Sequence, residues 1–171
     1  MSTISPTKIA PAGSWSADPV HSHVSFEVAY AGTNTFRGGF HEYTATLEDG
    51  VLEGSARVAS VDVKDEQLNG HLLTPDFFDA ERFPEISFRT TDLERGELTI
   101  KGVTRPVAIS ASVSEPNVDP FGRERVGITL EAAVDRNEFG VSWNAPNQGG
   151  GNYLGDDVTI KADLALVRQA S

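Results

Sequence analysis

The 171-residue chain contains no cysteine, one methionine and two tryptophans. The missing cysteines exclude disulfides, thiolate metal sites and cysteine nucleophiles. Apolar runs of about 18 residues, the minimum for a transmembrane helix, do not occur either. Basic residues are scarce: the chain has 14 Lys and Arg and 25 Asp and Glu, which gives a formal net charge of -11. A chain this acidic is not expected to bind nucleic acid or anionic membrane surfaces.

The N-terminal dozen residues contain Pro6 and Pro11 and lack the apolar core of a secretory signal. We therefore expect residues 1–13 to form a flexible arm and the protein to be cytoplasmic. The remaining length, 14–168, fits one domain, and a domain of this size buries roughly 70% of its unfolded surface.

Alternation of apolar and polar residues with a period of two dominates the chain, and this pattern predicts half-buried β-strands. The clearest segments are 24–30, 107–113, 126–134 and 158–166. The tripeptides Glu48-Asp49-Gly50 and Glu94-Arg95-Gly96 predict hairpin turns with glycine at positive φ. One short helix is predicted, over about 65–73. About eight strands at near-regular spacing favour an all-β fold, either a closed antiparallel barrel or a sandwich.

Small residues occupy many positions that would face the inside of such a barrel. An underfilled interior can enclose an apolar molecule, whereas large side chains from the opposite wall can fill the same gaps. Composition is compatible with both interpretations. The positions are Gly38, Gly39, Ala45, Gly54, Ala56, Ala111, Ala132 and Ala162.

The segment 71–88 departs from the alternating pattern. Four of the nine phenylalanines fall within its last twelve residues, and Pro75 and Pro84 interrupt it. An aromatic patch of this size is costly to expose to water. The segment is therefore expected to plug a core, line a cavity or meet a partner.

Histidines are the first candidates for chemistry. His21 and His23 point to the same face of a strand, a spacing that suits two ligands of one metal ion, with His41 or His71 as a third. Alternatively, they lie outside the barrel and hydrogen-bond to neighbouring loops. We prefer the second interpretation and predict no metal site.

Paired carboxylates occur at Asp156-Asp157 and around Asp62, Asp65 and Glu66. General acid–base chemistry needs one member of such a pair to be buried. Both clusters flank turns and have polar neighbours, which favours solvated charges. No residue is predicted to be catalytic.

Several motifs follow one another along the chain and together resemble the YceI-like family of polyisoprenoid-binding, lipocalin-like proteins. The resemblance covers about Trp15 to Leu166. The motifs are Trp15-x-x-Asp18-Pro-x-His21-Ser22, Arg37-Gly-Gly-Phe40, His71-Leu-x-x-x-Asp76-Phe-Phe-Asp79, Phe83-Pro84-x-Ile86-x-Phe88, Leu98-Thr-Ile-Lys-Gly-Val-Thr-Arg-Pro-Val107, Arg136-Asn-Glu-Phe139-Gly140-Val-x-Trp143 and Gly155-Asp-Asp-Val158.

The resemblance implies an eight-stranded antiparallel lipocalin-like barrel with one short helix, the aromatic segment being its irregular element. It also implies a tunnel that binds an isoprenoid quinone or polyprenyl lipid, often in a homodimer, with no required cofactor. The residues expected to contact the ligand are Val24, Phe26, Val28, Tyr30, Phe40, His71, Phe77, Phe78, Phe83, Ile86, Phe88 and Trp143.

Two departures from the family pattern stand out. Many members carry a second histidine where this chain has Tyr30, and tyrosine does not titrate near neutrality. Asn69 and Gly70 stand where an aspartate is common.

Three functions follow from these patterns. The first is a non-catalytic protein that carries or sequesters a long apolar ligand. The second is a cyclase or isomerase that uses the same cavity, with His21, His71, Tyr30 and Asp79 as candidate acid–base groups. The third is a metal-responsive or structural module built on His21 and His23.

Overall fold

The structure is a computed structural model that describes residues 11–145 and 152–169, so the first ten residues of the predicted arm lie outside the described residues. Within those ranges it contains thirteen strand segments and one α-helix, α1, at Glu66–Leu72. The strands are β1 Ser14–Ala17, β2 His23–Tyr30, β3 Asn34–Phe40, β4 Tyr43–Glu48, β5 Val51–Arg57, β6 Val61–Asp62, β7 Glu85–Thr90, β8 Arg95–Ile100, β9 Val103–Ala108, β10 Ser110–Val113, β11 Asn117–Val118, β12 Glu124–Asp135 and β13 Leu154–Arg168.

Several of these segments are parts of one longer, interrupted strand. β1 and β2 are separated by a bend at 18–22, and β3 and β4 by a bend at 41–42. β1 pairs with β4 through Ser16 opposite Thr46, and β2 pairs with β3 through Val24 opposite Phe40, so β1 and β2 form one member and β3 and β4 another. In the same way β6 continues β5 along β3, and β10 continues β9 after one residue. β11 follows β10 and pairs with the same partner, β12, so it belongs to the same member. Counted this way, the sheet has eight members.

The eight members form an antiparallel ring. Hydrogen-bonded pairing runs from β1 through β4, β5, β7 and β8 to β9. β10 then pairs with β12, β12 with β13, and β13 returns to β1. The predicted all-β, antiparallel, lipocalin-like fold with one short helix is confirmed, although bends and short breaks divide its eight members into thirteen strand segments. The ring hides most strand edges.

The four alternating segments lie in β2, in β9 and β10, in β12 and in β13, with Ile109 as the one residue between β9 and β10. The predicted helix over 65–73 corresponds to α1. Its first turn is capped by Asp65, whose side-chain carboxylate accepts hydrogen bonds from the backbone N–H groups of Gln67 and Leu68 at 2.9 and 3.1 Å. Such a cap satisfies N–H groups that the helix itself leaves without partners.

One of the two predicted hairpin turns is wrong. Gly50 has the expected positive φ of 85°, but Gly96 lies inside β8. The β7–β8 turn comes earlier, with Leu93 at a φ of 58°. The hydroxyl oxygen of Thr90 accepts from the Leu93 N–H at 3.1 Å, and the Asp92 carboxylate accepts from the next two backbone N–H groups. These side-chain bonds hold a turn that the glycine position did not reveal.

One end of the barrel is filled by large side chains. β1, β4 and β5 bring Trp15, Leu47 and Leu52 side by side, and each is no more than 2% exposed. Ile128 and Leu166 complete this packed end from β12 and β13. Within the described residues no helix is long and apolar enough to cross a membrane.

Candidate ligand-binding cavity

The other end of the barrel contains an apolar cavity of about 370 Å³, the outer chamber. β2, β3 and β13 supply much of its wall, while α1 and the residues after it cover it. The volume falls within the range of roughly 300–1,000 Å³ that is typical of small-molecule sites. Nine aromatic side chains line it: Phe26, Tyr30, Phe36, Phe40, Phe77, Phe78, Phe139, Trp143 and Tyr153.

A second cavity of about 120 Å³, the inner chamber, lies deeper in the barrel. Five residues line both chambers, so the two follow one another along the barrel. Its wall includes small residues at five positions that the sequence predicted to leave room. The shared residues are Val24, Ala56, Ile86, Leu98 and Ile160, and the small ones are Ala45, Gly54, Ala56, Ala132 and Ala162.

Not every small residue leaves a gap. A Cβ atom at Gly38 would lie 2.5 Å from the ring of Phe26 and 2.6 Å from Val63, so these side chains already occupy the space. Likewise a Cβ at Gly96 would lie 2.3 Å from the ring of Phe88. The interior is therefore underfilled in the inner chamber and closely packed at these two glycines.

The structure brings most of the predicted ligand contacts together. Ten of the twelve line the outer chamber, and Phe88 lines the inner one. Contact with a ligand remains a prediction for all of them. The ten are Val24, Phe26, Val28, Tyr30, Phe40, His71, Phe77, Phe78, Ile86 and Trp143.

Phe83 lines neither chamber. Its ring lies beside the β8–β9 turn, so close that a Cβ atom added to Gly102 would be 2.5 Å from it. The Arg82 guanidinium lies 5.2 Å from the ring centre. The backbone N–H of Phe83 donates to the Asp79 carbonyl at 2.8 Å, and this tight turn directs the side chain away from the cavity.

The aromatic segment covers the open end of the barrel. Its backbone folds back on α1, because the N–H of Phe78 donates to the Leu72 carbonyl at 3.0 Å. Phe77 is 6% exposed, while the Phe78 ring packs edge-on against Phe40 with 6.1 Å between centroids. The segment therefore both plugs the barrel end and lines the chamber.

A three-ring cluster lies beside this cover. The imidazole of His71 lies 5.0 Å from the ring of Phe77 and 4.8 Å from that of Trp143, and the two aromatic rings are 5.4 Å apart. His71 Nε2 lies 3.0 Å from the Asp76 carboxylate, which orients the imidazole. Edge-to-face packing of this kind stabilises a defined arrangement of rings.

The mouth of the cavity is marked by exposed aromatic side chains. Trp143 is 38% exposed and Tyr30 43% exposed, although both line the outer chamber. The rings of Tyr30 and Tyr153 stack with centroids 5.9 Å apart. Such residues pair an apolar body with a polar tip, which suits a boundary between water and an apolar cavity.

Arg136 is a cavity residue that the sequence-based predictions did not include. It is 6% exposed and lines the outer chamber. Its Nε donates to the Gly155 carbonyl at 2.8 Å, and Nη1 donates to the carbonyls of Val141 and Trp143 at 2.7 and 2.9 Å. Burial lowers the pKa of Arg136 below its ordinary value. The only sequence signal was its place at the start of the motif that ends at Trp143.

The histidines do not converge on one point. His21 lies 2.7 Å from an Asp18 carboxylate oxygen, and His41 lies 2.8 Å from one of Asp62. The hydrogen bond from His21, together with others, lowers the pKa of Asp18 to about 2. In the described part of the chain no group of three or more His, Asp or Glu side chains is arranged to hold a metal ion.

The candidate acid–base groups are also dispersed. His71 and Tyr30 line the outer chamber, but His21 and Asp79 line neither cavity. Asp79 is 4% exposed, and its carboxylate lies 3.6 Å from the Arg82 guanidinium. Acid–base chemistry on one substrate would need such groups to face a common point.

A closed antiparallel barrel with an apolar interior and a helical cover defines a lipocalin-like barrel protein. The model of the YceI-like domain family matches residues 15–166, and the chain belongs to this family. A UPF0312 protein of Staphylococcus aureus (strain USA300) is 27% identical over 157 residues, which cover 85% of this chain and 92% of that protein.

Two solved structures have the same fold. BcnA of Burkholderia cenocepacia superposes with a TM-score of 0.74 at 21% identity and covers 90% of this chain and 99% of its own. A polyisoprenoid binding domain from Saccharophagus degradans has a TM-score of 0.74 at 12% identity, with 91% and 98% covered. At these identities the likeness shows the fold alone.

Proposed function

We propose that the protein binds one long, flexible, apolar molecule of the isoprenoid quinone or polyprenyl lipid class and carries or shields it without chemical change. The observation that supports this most directly is the succession of two apolar chambers inside one barrel. A chain-like ligand can occupy both at once, whereas a compact ligand fills only the outer one.

The energetics favour such a ligand. Burying one isoprene unit removes roughly 100 Å² of apolar surface from water, which contributes about 2.5 kcal/mol before entropic costs. Four units together contribute about 10 kcal/mol, which is comparable with the roughly 4–15 kcal/mol that association costs. The Saccharophagus degradans neighbour is described as a polyisoprenoid binding domain, which agrees with this class.

Native mass spectrometry of freshly purified protein tests the proposal first. We expect a population whose mass exceeds that of the polypeptide by one lipid molecule, and organic extraction should release that molecule. Delipidated protein should then bind added farnesol or geranylgeraniol with one-to-one stoichiometry. A purely polypeptide mass, together with no binding of either alcohol, would overturn the proposal.

The two tryptophans provide a matched pair for the titration. Trp143 lies at the mouth, whereas Trp15 is 2% exposed at the packed end. Trp143→Phe should remove most of the fluorescence change caused by the ligand, and Trp15→Phe should leave that change in place. The reverse result would place the ligand outside the outer chamber.

A further inference from the structure

The guanidinium of Arg136 is held in an unusual way. Arg136 follows β12 directly and begins a 3₁₀ turn, Arg136–Phe139, whose first residue points its side chain into the barrel wall. The three hydrogen bonds to the carbonyls of Val141, Trp143 and Gly155 come from Nε and Nη1. They fix the plane of the group at the edge of the outer chamber.

Two of its five N–H donors remain available. A guanidinium carries one hydrogen on Nε and two on each terminal nitrogen. Nε and Nη1 are fully used, and among residues 11–145 and 152–169 Nη2 has no hydrogen-bond partner. Nη2 is not fully buried either. Among the described residues, the hydroxyl oxygen of Tyr43 is the one fully buried side-chain polar atom without a hydrogen-bond partner. Because Arg136 lines the outer chamber, these two donors are available to a molecule bound there.

The positive charge of Arg136 is also not neutralised by a direct ion pair. Within the described residues no carboxylate oxygen lies within 4.0 Å of its guanidinium. The nearby carboxylates of Asp135 and Asp156 instead accept hydrogen bonds from the side chain of Asn137, at 3.0 and 2.9 Å. A buried cation with only neutral carbonyl partners is costly, and an added anionic acceptor offsets that cost.

We infer that Nη2 of Arg136 is the contact for the head group of the bound lipid, and that this head group carries an anionic oxygen, as a carboxylate or a phosphate monoester does. The inference rests on the proposed function and assigns an orientation to the ligand. The head lies beside Arg136 near the mouth, and the apolar chain extends past Phe40 and Ile86 into the inner chamber.

Ligands that share one chain and differ only in the head group test this inference. Farnesoic acid, farnesyl phosphate, farnesol and farnesylamine would be titrated into delipidated protein near neutral pH. A hydrogen bond to a charged group contributes about 1.5–3 kcal/mol, so an anionic ligand should bind about tenfold or more tighter than farnesol. The amine should bind most weakly.

Arg136→Met removes the charge while keeping an apolar side chain of similar length. In this variant the anionic ligands should lose their advantage, and farnesol should bind within about threefold of its original affinity. Arg105→Met is the matched control, since Arg105 is an exposed cation that donates to the Glu138 carbonyl and lines neither cavity. It should leave every affinity unchanged.

The outcomes separate the inference from the proposed function. Equal affinity of the original protein for the acid, the phosphate and the alcohol would overturn the head-group assignment and leave the apolar cavity function in place. Binding of none of the four would overturn the function itself. Should Arg136→Met fail to fold, the same four ligands would be compared on the original protein and on Arg136→Lys. The lysine variant keeps the charge and should keep the preference for anions, so this comparison still tests the head-group assignment. A preference for the anions that persists in a folded Arg136→Met would assign it to another residue.

Discussion

The outer and inner chambers differ although the same barrel walls build both. The outer chamber is wide, aromatic and bordered by polar groups, among them His71 and Arg136. The inner chamber is about a third as large and is bounded mainly by alanine, glycine and aliphatic side chains such as Leu52 and Val107, with Phe88 and Tyr43 as its aromatic members. Positions that point into the same barrel therefore have different environments according to their depth.

For the proposed chain-like ligand, this difference would separate two tasks. Aromatic rings and a cation at the mouth can recognise a head group and cover it, because they offer both contact area and hydrogen bonds. The small residues deeper in the barrel leave a narrow space that only a hydrocarbon chain can fill. We therefore expect mouth substitutions to change capture and stability, and deep substitutions to change the accepted chain length.

Phe77→Ala should have the largest effect on the outer chamber. Phe77 is 6% exposed and packs against His71 and Trp143, so its loss leaves a cavity beneath the cover. We expect the free energy of unfolding to fall by about 3–5 kcal/mol, measured by denaturant titration. Phe78→Ala, whose ring is only partly buried, should lower stability less and mainly weaken ligand retention. Equal losses of stability in both variants would contradict this division.

Gly38→Ala should show that the barrel interior is already filled beside Phe26, a residue of the outer chamber. A methyl group there would lie 2.5 Å from Phe26 and 2.6 Å from Val63, and both side chains would have to move. We expect a destabilisation of about 1–3 kcal/mol, as for other overpacked sites.

Gly54→Ala is the matched control in the inner chamber. Its methyl group would lie 3.3 Å from the Thr44 carbonyl and 3.8 Å from Ala45. It should therefore change the unfolding midpoint much less than Gly38→Ala does. A larger loss at Gly54 than at Gly38 would reverse the comparison between the two chambers.

Ala132→Leu should shorten the inner chamber. It adds three carbon atoms to a residue that lines that chamber on β12. Displacing about one isoprene unit should weaken geranylgeraniol binding about tenfold or more, while farnesol affinity changes little. Ala133→Leu is the control, because Ala133 is the next residue on the same strand and faces the outside. Parallel losses for both alcohols would show that the inner chamber does not select for length.

The period-two pattern predicted the strands and most of the cavity wall because alternation alone decides which side chains face inward. Val24, Phe26, Val28 and Tyr30 line the outer chamber for this reason. Alternation cannot say whether an inward glycine leaves a gap. At Gly38 the answer depends on the ring of Phe26 directly opposite on β2, and at Gly54 no large ring occupies the space.

The remaining differences arise from contacts that no local pattern contains. Arg136 is held by the carbonyls of Val141 and Trp143 in the segment after its own turn and by that of Gly155 in β13, and a sequence gives no sign that these carbonyls meet. Phe83 lies outside the cavity because the turn at Asp79 reverses the chain just before it. In both cases tertiary structure decides where the side chain lies, and the residue type alone suggested a different position.

Acid should have the smallest effect, and it should act at the packed end. There the Arg125 guanidinium joins the Asp18 and Asp119 carboxylates at 3.0 and 2.7 Å. Since the pKa of Asp18 is lowered from 3.8 to about 2, its contribution to stability is complete above pH 3.8 and is lost as the pH falls toward 2. Because its partner His21 is largely exposed, we expect Asp18 to contribute about 1 kcal/mol or less to the free energy of unfolding.

Hydrogen exchange at low pH tests this expectation. As the pH falls toward 2, exchange should rise at 18–22 and 117–123 before it rises at the mouth, and Asp18→Asn should remove most of this difference. Earlier opening of the mouth would show that the aromatic cover, rather than the salt-bridged end, is the weaker part of the barrel.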